Sequence, residues 1–435
     1  MLSSSENTFQ FLHTADIHLD SPMRGLAQYE GVAVDRIRSA TRDAFAELID
    51  RVVSTCPSFV IIAGDLYDGD WNDFNTGLFF VDQMRRLRLK NIGAYVLYGN
   101  HDAHSQITKR LVLPDNVHEF SHSKVQTHLV DAHNVALHGR SYPKRDVNEN
   151  LSRDYPTPFE SKFNIGVLHT GLGGMGGHAN YAPCGLEELV NKGYDYWALG
   201  HVHTRQILNV HPHVVFPGNL QGRHINEDGP RSASLVTVEN GRVEDIEEWD
   251  CDVVRWRRLV LSVDGFDSYD QVTTSVGEVL TEVLADNDRS RVTAVRVQLT
   301  GSTPLHGRLV SSTDAHKENI QALSLDIGGD ALWVEKVEVQ TRPPKASKPD
   351  SDAQETIADL AQLLGASAKD PELFELISNE FSDMVSKLHI DVKSEMESSE
   401  GSYSQLVMEH QQSELLERVL ERVSYQLAGE RKDAS

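Results

Sequence analysis

Seven side chains in this sequence have the types and the placement to hold a pair of divalent metal ions: Asp16, His18, Asp65, Asn100, His169, His201 and His203. They fall in five short motifs: Asp16-Ile17-His18, Gly64-Asp65, Gly99-Asn100-His101-Asp102, Leu168-His169-Thr170 and Gly200-His201-Val202-His203. Each motif stands at the C-terminal end of an apolar run that reads as a strand. Singly such motifs are weak, but together and in this order they are specific. Ligands gather at the carboxyl ends of strands because side chains from separate strands converge there in one crevice. A set of carboxylate, imidazole and amide oxygen suits manganese, iron or zinc. One carboxylate must bridge two ions about 3.5–4 Å apart. Asp65 is the candidate, since Gly64 frees the backbone to turn tightly into the site. Two divalent ions set against Asp16 and Asp65 leave a pocket of about +2, which draws a phosphodiester, and a water acidified there can attack phosphorus in line. His101 is placed to protonate the leaving oxygen or to stabilise charge on the phosphate, with Asp102 orienting it.

The elements that must position these groups follow from the apolar pattern. Phe9–Ile17, Phe59–Asp65, Ala94–Gly99, Phe163–His169 and Tyr194–Gly200 read as strands, with amphipathic helices at Val34–Val53 and Thr76–Arg88. Strands alternating with helices imply a layered α/β domain. After Gly200 the pattern changes to strands at Val214–Pro217, Ser234–Glu239 and Val243–Trp249, with Asn240-Gly241 a strong hairpin signal between the last two. From about Trp256 a smaller α+β unit follows. It has strands at Leu259–Val263, Thr293–Thr300 and Leu332–Val339 and helices at Tyr269–Ala285 and Lys317–Leu323. The run from Arg342 to Asp350, with three prolines, reads as a stiff linker. Two amphipathic helices come after it, one carrying Phe374, Ile377, Phe381, Met384, Val385 and Leu388, the other centred on Leu416–Leu427. The expected domains are therefore 1–250, 251–340, a linker at 341–355 and partner-binding helices at 356–435.

Composition narrows the class. At 435 residues and 39% hydrophobic content the chain is long enough for two or three domains with a real core. The beginning, MLSSSENTFQ, does not resemble a signal peptide. The apolar runs are strand-length, so a soluble, cytoplasmic protein with no membrane partner is expected. Three widely separated cysteines, Cys56, Cys184 and Cys251, argue against a disulfide framework or a thiolate zinc site, and each is expected to be a buried small residue. The net charge of −24 weighs against a phosphate-backbone partner. Residues 341–435, under a quarter of the length, carry −9 of it, however, so the excess does not sit evenly around the metal motifs. Cations available to DNA phosphates include Lys109, Arg110, Arg140, Lys144, Arg145, Arg205 and Arg223. Arg205 and Arg223 are the preferred pair because they follow His203 and Gly218-Asn219. The glycine-rich loop Gly171–Pro183, with His178 in it, offers either close backbone approach to a phosphate or a plain surface loop.

The strings His13-Thr14-Ala15-Asp16-Ile17-His18-Leu19-Asp20-Ser21-Pro22, Ala63-Gly64-Asp65-Leu66-Tyr67-Asp68, Tyr98-Gly99-Asn100-His101-Asp102 and Gly200-His201-Val202-His203 resemble the calcineurin-like metallophosphoesterases, and more narrowly the SbcD and YhaO-type DNA repair exonucleases. The resemblance implies a β-sandwich flanked by helices, with a small α+β capping domain at 256–340 that helps place DNA. It implies one metal on Asp16, His18, Asp65 and His203, and the other on Asp65, Asn100, His169 and His201. His101 would be the catalytic histidine that binds neither, and manganese the cofactor. It further implies C-terminal helices that bind the coiled-coil root of an SMC-like ATPase, and a homodimer, for which Leu78, Phe79, Phe80 and Met84 offer a contact face. One position departs from the pattern: where the double-strand-break repair nucleases carry a second histidine, this chain has Asp68. Two other functions stay open, the first because such enzymes share the motifs and the second because of Asp68 and the acidic tail. One is a phosphodiesterase or phosphatase of small nucleotides or phosphoproteins. The other is a weakly catalytic or non-catalytic DNA-end-binding subunit of an ATPase complex.

Overall fold

The computed structural model of the chain describes residues 8–21, 32–68, 74–104, 111–173, 181–286, 291–311 and 313–344. The C-terminal helices expected at 356–435, all but the start of the linker, Lys109, Arg110 and His178 lie outside them. Two compact units can be distinguished. One comprises the described residues of Met1–Arg258, Leu280–Arg296 and Ser324–Glu335; the other draws on the described residues of Leu259–Val279 and Val297–Leu323 and of the chain from Lys336 onward.

The first unit is built on two six-stranded sheets. One contains β1 (Thr8–Thr14), β2 (Phe59–Ala63), β3 (Gly93–Leu97) and β4 (Val117–Glu119). The second contains β5 (Gln126–Val130), β6 (Val135–Gly139), β7 (Phe163–His169), β8 (Tyr196–Gly200), β9 (Gln206–Val210) and β10 (His213–Phe216). The hairpin β11 (Ser232–Glu239) and β12 (Arg242–Asp250) returns to the first sheet. The strand orders are β12-β11-β1-β2-β3-β4 and β5-β6-β7-β8-β10-β9. β1, β2, β3 and β4 run parallel, as do β6, β7, β8 and β10. All the motif-bearing strands thus end on the same side of their sheets.

Alternation explains the layering. Along β1, Phe9 and Phe11 turn inward with Phe59, Ile61, Leu137, Ile165 and Val167 to form the core between the sheets. Leu12, Val60, Ile62 and Val96 turn the other way onto helices α1 (Val32–Thr55) and α2 (Phe74–Arg88), meeting Phe45, Ile49, Phe80 and Met84. Strand β2, Phe-Val-Ile-Ile-Ala, is buried along its whole length because both of its faces are covered. The contact face proposed on α2 belongs instead to this core: Phe80 and Met84 are fully buried, Phe79 packs against the cluster, and Leu78 is left exposed. Cys184 and Cys251 are buried as expected, whereas Cys56 is exposed.

Further along lie β13 (Val254–Ser262), α3 (Tyr269–Ala285), β14 (Val292–Ser302), α4 (His306–Ser311), α5 (Thr313–Gly328) and β15 (Leu332–Arg342), the strands forming a three-stranded sheet in the order β13-β14-β15. Among the described residues no helix is long and apolar enough to cross a membrane.

Candidate metal centre

The crevice forms where β1, β2, β3, β7 and β8 end. The backbone turns sharply as it leaves these strands. Asp16, His18, Asp65 and His201 take positive φ values of 50°, 46°, 51° and 105°, conformations that cost side-chain-bearing residues of order 1–3 kcal/mol each. Cross-ties between the turns hold them. Asp16 N–H donates to the Gly64 carbonyl at 2.9 Å, and His18 N–H to the Asp65 carbonyl at 3.0 Å. His201 N–H donates to the Asp16 carboxylate at 2.9 Å, and His101 N–H to Asp65 Oδ1 at 3.0 Å. Glycines make the close approach feasible. A Cβ on Gly64 would lie 2.2 Å from His169 Nδ1, and one on Gly99 would lie 2.3 Å from Asp65 Oδ1.

Ligand-type atoms converge in neighbouring groups. Asp16, His18 and His203 bring theirs within 4.8 Å of one another, and so do Asp65, His169 and His201. Asn100 joins the second group, its Oδ1 lying 3.0 Å from His169 Nε2. Bonds of about 2.0–2.2 Å to a common ion would space donor atoms about 3.0–3.6 Å apart. The separations of 3.0 Å, 3.3 Å for His18 Nε2 to His203 Nε2, 3.4 Å for His169 Nε2 to Asp65 Oδ2 and 3.9 Å for His203 Nε2 to Asp16 Oδ1 bracket that range.

The protons point to cations. His169 Nδ1 donates to the Ala63 carbonyl at 3.0 Å, so its Nε2 lone pair faces the acceptors Asn100 Oδ1 and Asp65 Oδ2. A positive charge must sit there. In the protein alone it is a second proton on His169: burial disfavours it, but Asp65 outweighs burial and raises the imidazole pKa to about 9. Asp65 behaves reciprocally, since burial would raise its pKa but His169 and His101 hold it well below the carboxylate range. His203 Nδ1 is engaged by Glu227 Oε1 at 2.6 Å, which turns its Nε2 toward His18 Nε2. Burial holds His18 neutral, its pKa well below 6.5. Its Nδ1 is buried without a hydrogen-bond partner, so one ring nitrogen is stranded whichever carries the proton. The residues therefore fit a pair of divalent ions. The bonds from His203 to Glu227 and from His169 to a carbonyl are the outer contacts that ordinarily fix the tautomer of a metal-binding imidazole.

The family model of calcineurin-like phosphoesterases matches residues 9–205, and that of the middle domain of metallophosphoesterase YhaO matches residues 256–342. The chain carries a calcineurin-like phosphoesterase domain. It is 38% identical over 237 residues to metallophosphoesterase YhaO of Bacillus subtilis, covering 54% of this chain and 58% of that protein. It is 28% identical over 205 residues to the DNA double-strand break repair protein Mre11 of Sulfolobus acidocaldarius, covering 45% of this chain and 50% of that one. The chain thus spans about half the length of the curated relatives it matches. A dimetal phosphatase of Danio rerio superposes with a TM-score of 0.32 at 12% identity, over 56% of this chain and 98% of that one.

Within the phosphoesterase domain two expectations need correction. Asp102 does not orient His101. Its carboxylate turns back to accept the backbone N–H groups of Tyr67 at 2.8 Å, Gly99 at 2.9 Å and Leu66 at 3.1 Å, tying the β2 and β3 turns together. Burial and the Asp65 charge raise its pKa to about 7 against those three bonds. The carboxylate on His101 is that of Asp68, with Oδ1 2.7 Å from Nδ1. Asp68 is itself held by the Ser21 hydroxyl at 2.6 Å, with Arg223 at 3.7 Å. Burial would raise the Asp68 pKa, but His101, His18, Arg223 and Ser21 together hold it far below the usual value. The second correction concerns Arg205, which reaches the Ile246 carbonyl at 3.4 Å and Glu248 at 3.8 Å on β12 and so braces the hairpin. Arg223 does lie at the centre, between Asp68 and Glu227. Glu227 escaped the sequence reading. It is held through Oε2 by the side chain of Asn219 at 3.1 Å and the backbone N–H of Arg223 at 2.7 Å, and no spacing rule links it to His203.

Proposed function

We propose that the phosphoesterase domain is a manganese-dependent, two-metal DNA nuclease, acting as an exonuclease and as an endonuclease. Asp16, His18, Asp65 and His203 hold one ion, and Asp65, Asn100, His169 and His201 the other. Bound there, the ions supply positive charge against the phosphate oxygens and lower the pKa of water. His101, its Nδ1 engaged by Asp68, has Nε2 left to give a proton to the leaving oxygen. Arg223, which pairs with Asp68 and Glu227, is the cation assigned to the scissile phosphate.

The observation that carries the hydrolytic reading is the convergence of the two groups of ligand atoms beside the His101–Asp68 pair. The choice of DNA is supported by the relatives named as DNA double-strand break repair proteins. The non-catalytic, DNA-end-binding reading draws support from Asp68, at the position where the resemblance to double-strand-break repair nucleases implies a histidine. The SMC-like ATPase partner, docked through residues 356–435, a homodimer and a cytoplasmic location belong to the same proposal.

Purified protein with manganese, labelled duplex and single-stranded DNA, a cyclic nucleotide and p-nitrophenyl phosphate tests the reading. DNA cleavage abolished by chelator and by His101→Ala is expected. Hydrolysis of the small esters alone would reject the nuclease. Removing residues 345–435 should spare ester hydrolysis and abolish co-purification of the ATPase.

A further inference from the structure

The segment leaving β6 forms an exposed arch pinned at both ends beside the metal centre. At its start Tyr142 is buried, its hydroxyl donating to the His169 carbonyl at 2.8 Å and its ring lying edge-on to the His169 imidazole at 5.5 Å. At its end Val147 is buried, and its carbonyl accepts the Ala182 N–H at 2.7 Å. Ala182 adjoins Tyr181, whose ring meets His201 at 5.7 Å. The first anchor thus contacts His169 directly, and the second is linked to His201 through Ala182 and its neighbour Tyr181. Between them Pro143, Lys144, Arg145 and Asp146 are all exposed. At no more than about 3.6 Å of chain per residue, Lys144 and Arg145 stay within two or three residues' reach of Tyr142. No ion pair holds either cation among the described residues, in contrast to Arg205, Arg140 and Arg86. Asp146 leaves the arch a net single positive charge in a protein of −24.

We propose that Lys144 and Arg145 grip the phosphodiester backbone of a polynucleotide beyond the scissile phosphate, on the rim of the centre formed by His169 and His201. Arg223 pairs with Asp68, which holds His101, and with Glu227, which holds His203. On this reading the arch and Arg223 hold different phosphates, so the arch selects a strand over a small ester. This inference rests on the nuclease reading above and names how that site holds its substrate.

The full chain and its Lys144→Glu/Arg145→Glu variant are compared in three assays. These are cleavage of labelled DNA with manganese, DNA binding by anisotropy in chelator, and hydrolysis of bis(p-nitrophenyl) phosphate. The variant should bind DNA at least about tenfold more weakly, with a salt slope shallower by about one to two, since each lost phosphate contact removes about 0.9 from it for duplex and 0.7 for single strands. Small-ester kinetics should stay within about twofold, because the proposed grip falls on backbone phosphates other than the scissile one. Lys144→Arg/Arg145→Lys should restore DNA binding. Unchanged DNA affinity and salt slope in a variant of a DNA-cleaving wild type would overturn the arch and leave the nuclease standing. A wild type that hydrolyses the ester but neither binds nor cuts DNA would overturn both.

Discussion

Replacing Asp68 by Asn separates the observed dyad from the one that chain order suggests. Asp68 Oδ1 meets His101 Nδ1 at 2.7 Å, and its other oxygen receives the Ser21 hydroxyl at 2.6 Å. Asn keeps the shape and an acceptor for Ser21 but removes the charge facing the imidazole. A hydrogen bond to a charged group contributes roughly 1.5–3 kcal/mol. If that interaction is fully realised as His101 transfers its proton, kcat falls roughly ten- to 150-fold while KM for a small ester and the metal content hold. Steady-state kinetics on bis(p-nitrophenyl) phosphate, with metal analysis of each preparation, measures this. The decisive arm is a double-mutant cycle: in a His101→Ala background Asp68→Asn should cost nothing further. Asp102→Asn should act differently, lowering the melting temperature by disturbing three backbone bonds that link the β2 and β3 turns. Losses at Asp68 and His101 that multiply independently, or an Asp102→Asn protein of wild-type stability with the larger fall in kcat, would refute the reasoning.

Glu227→Gln should weaken binding of one manganese equivalent by about 10- to 100-fold, measured by calorimetric titration, because the 2.6 Å contact fixes the His203 tautomer; two unchanged equivalents would contradict it. Gly99→Ala places a Cβ where Asp65 Oδ1 and the Asp65 backbone nitrogen lie within 2.8 Å, so metal content should fall together with about 1–3 kcal/mol of stability. A fully loaded variant would show that the turn has slack. His13 gives the pH prediction: its Nε2–H donates to the Leu199 carbonyl at 3.1 Å and its Nδ1 accepts from the Tyr196 hydroxyl at 3.0 Å. Burial pushes its pKa down to about 3, from 6.5 in the unfolded chain. Below 6.5 the unfolded chain takes the proton and the fold does not, so this contribution is intact above that pH and is lost toward pH 3, at up to about 1.4 kcal/mol per unit. Urea melts of metal-free protein should show a shallower acid slope in His13→Gln than in wild type, and equal slopes would contradict the assignment.

Much of the site's placement was legible because the ligands ride on the strongest periodic signals in the chain. The spans Phe163–His169 and Tyr269–Ala285 were read to the residue, and β2 and β3 were placed to within two residues at their ends. A continuous apolar run stopped by glycine or a ligand residue fixes both the strand and the end at which its side chains emerge. The sequence pattern does not mark strands β4, β5, β6 and β9. β4 has three residues, and β5 is Gln-Thr-His-Leu-Val, without alternation. β6 buries His138, which is satisfied by Thr127 and Asn164 from neighbouring strands and so looks polar in sequence. The same limit hid the pairing of Asp68 with His101 and that of Glu227 with His203. Asp102 adjoins His101 in sequence, yet the short 3-10 turn Asp102–His104 carries its carboxylate back to the Leu66, Tyr67 and Gly99 amides. Asp68 reaches His101 from the β2 turn, and Glu227 reaches His203 through a loop held by Asn219. Such pairings between distant segments exist only once the sheets have assembled. Arg205 shows the converse: proximity in sequence to His203 placed it near the ligands, while its side chain found the β12 edge.

The most direct measurement is anomalous diffraction from crystals of the full chain grown with manganese. Two peaks about 3.5–4 Å apart are expected, with Asp65 between them, Asp16, His18 and His203 around one, and Asn100, His169 and His201 around the other. A single peak, or two peaks that do not share Asp65, would contradict the two-metal centre and every chemical role assigned to it.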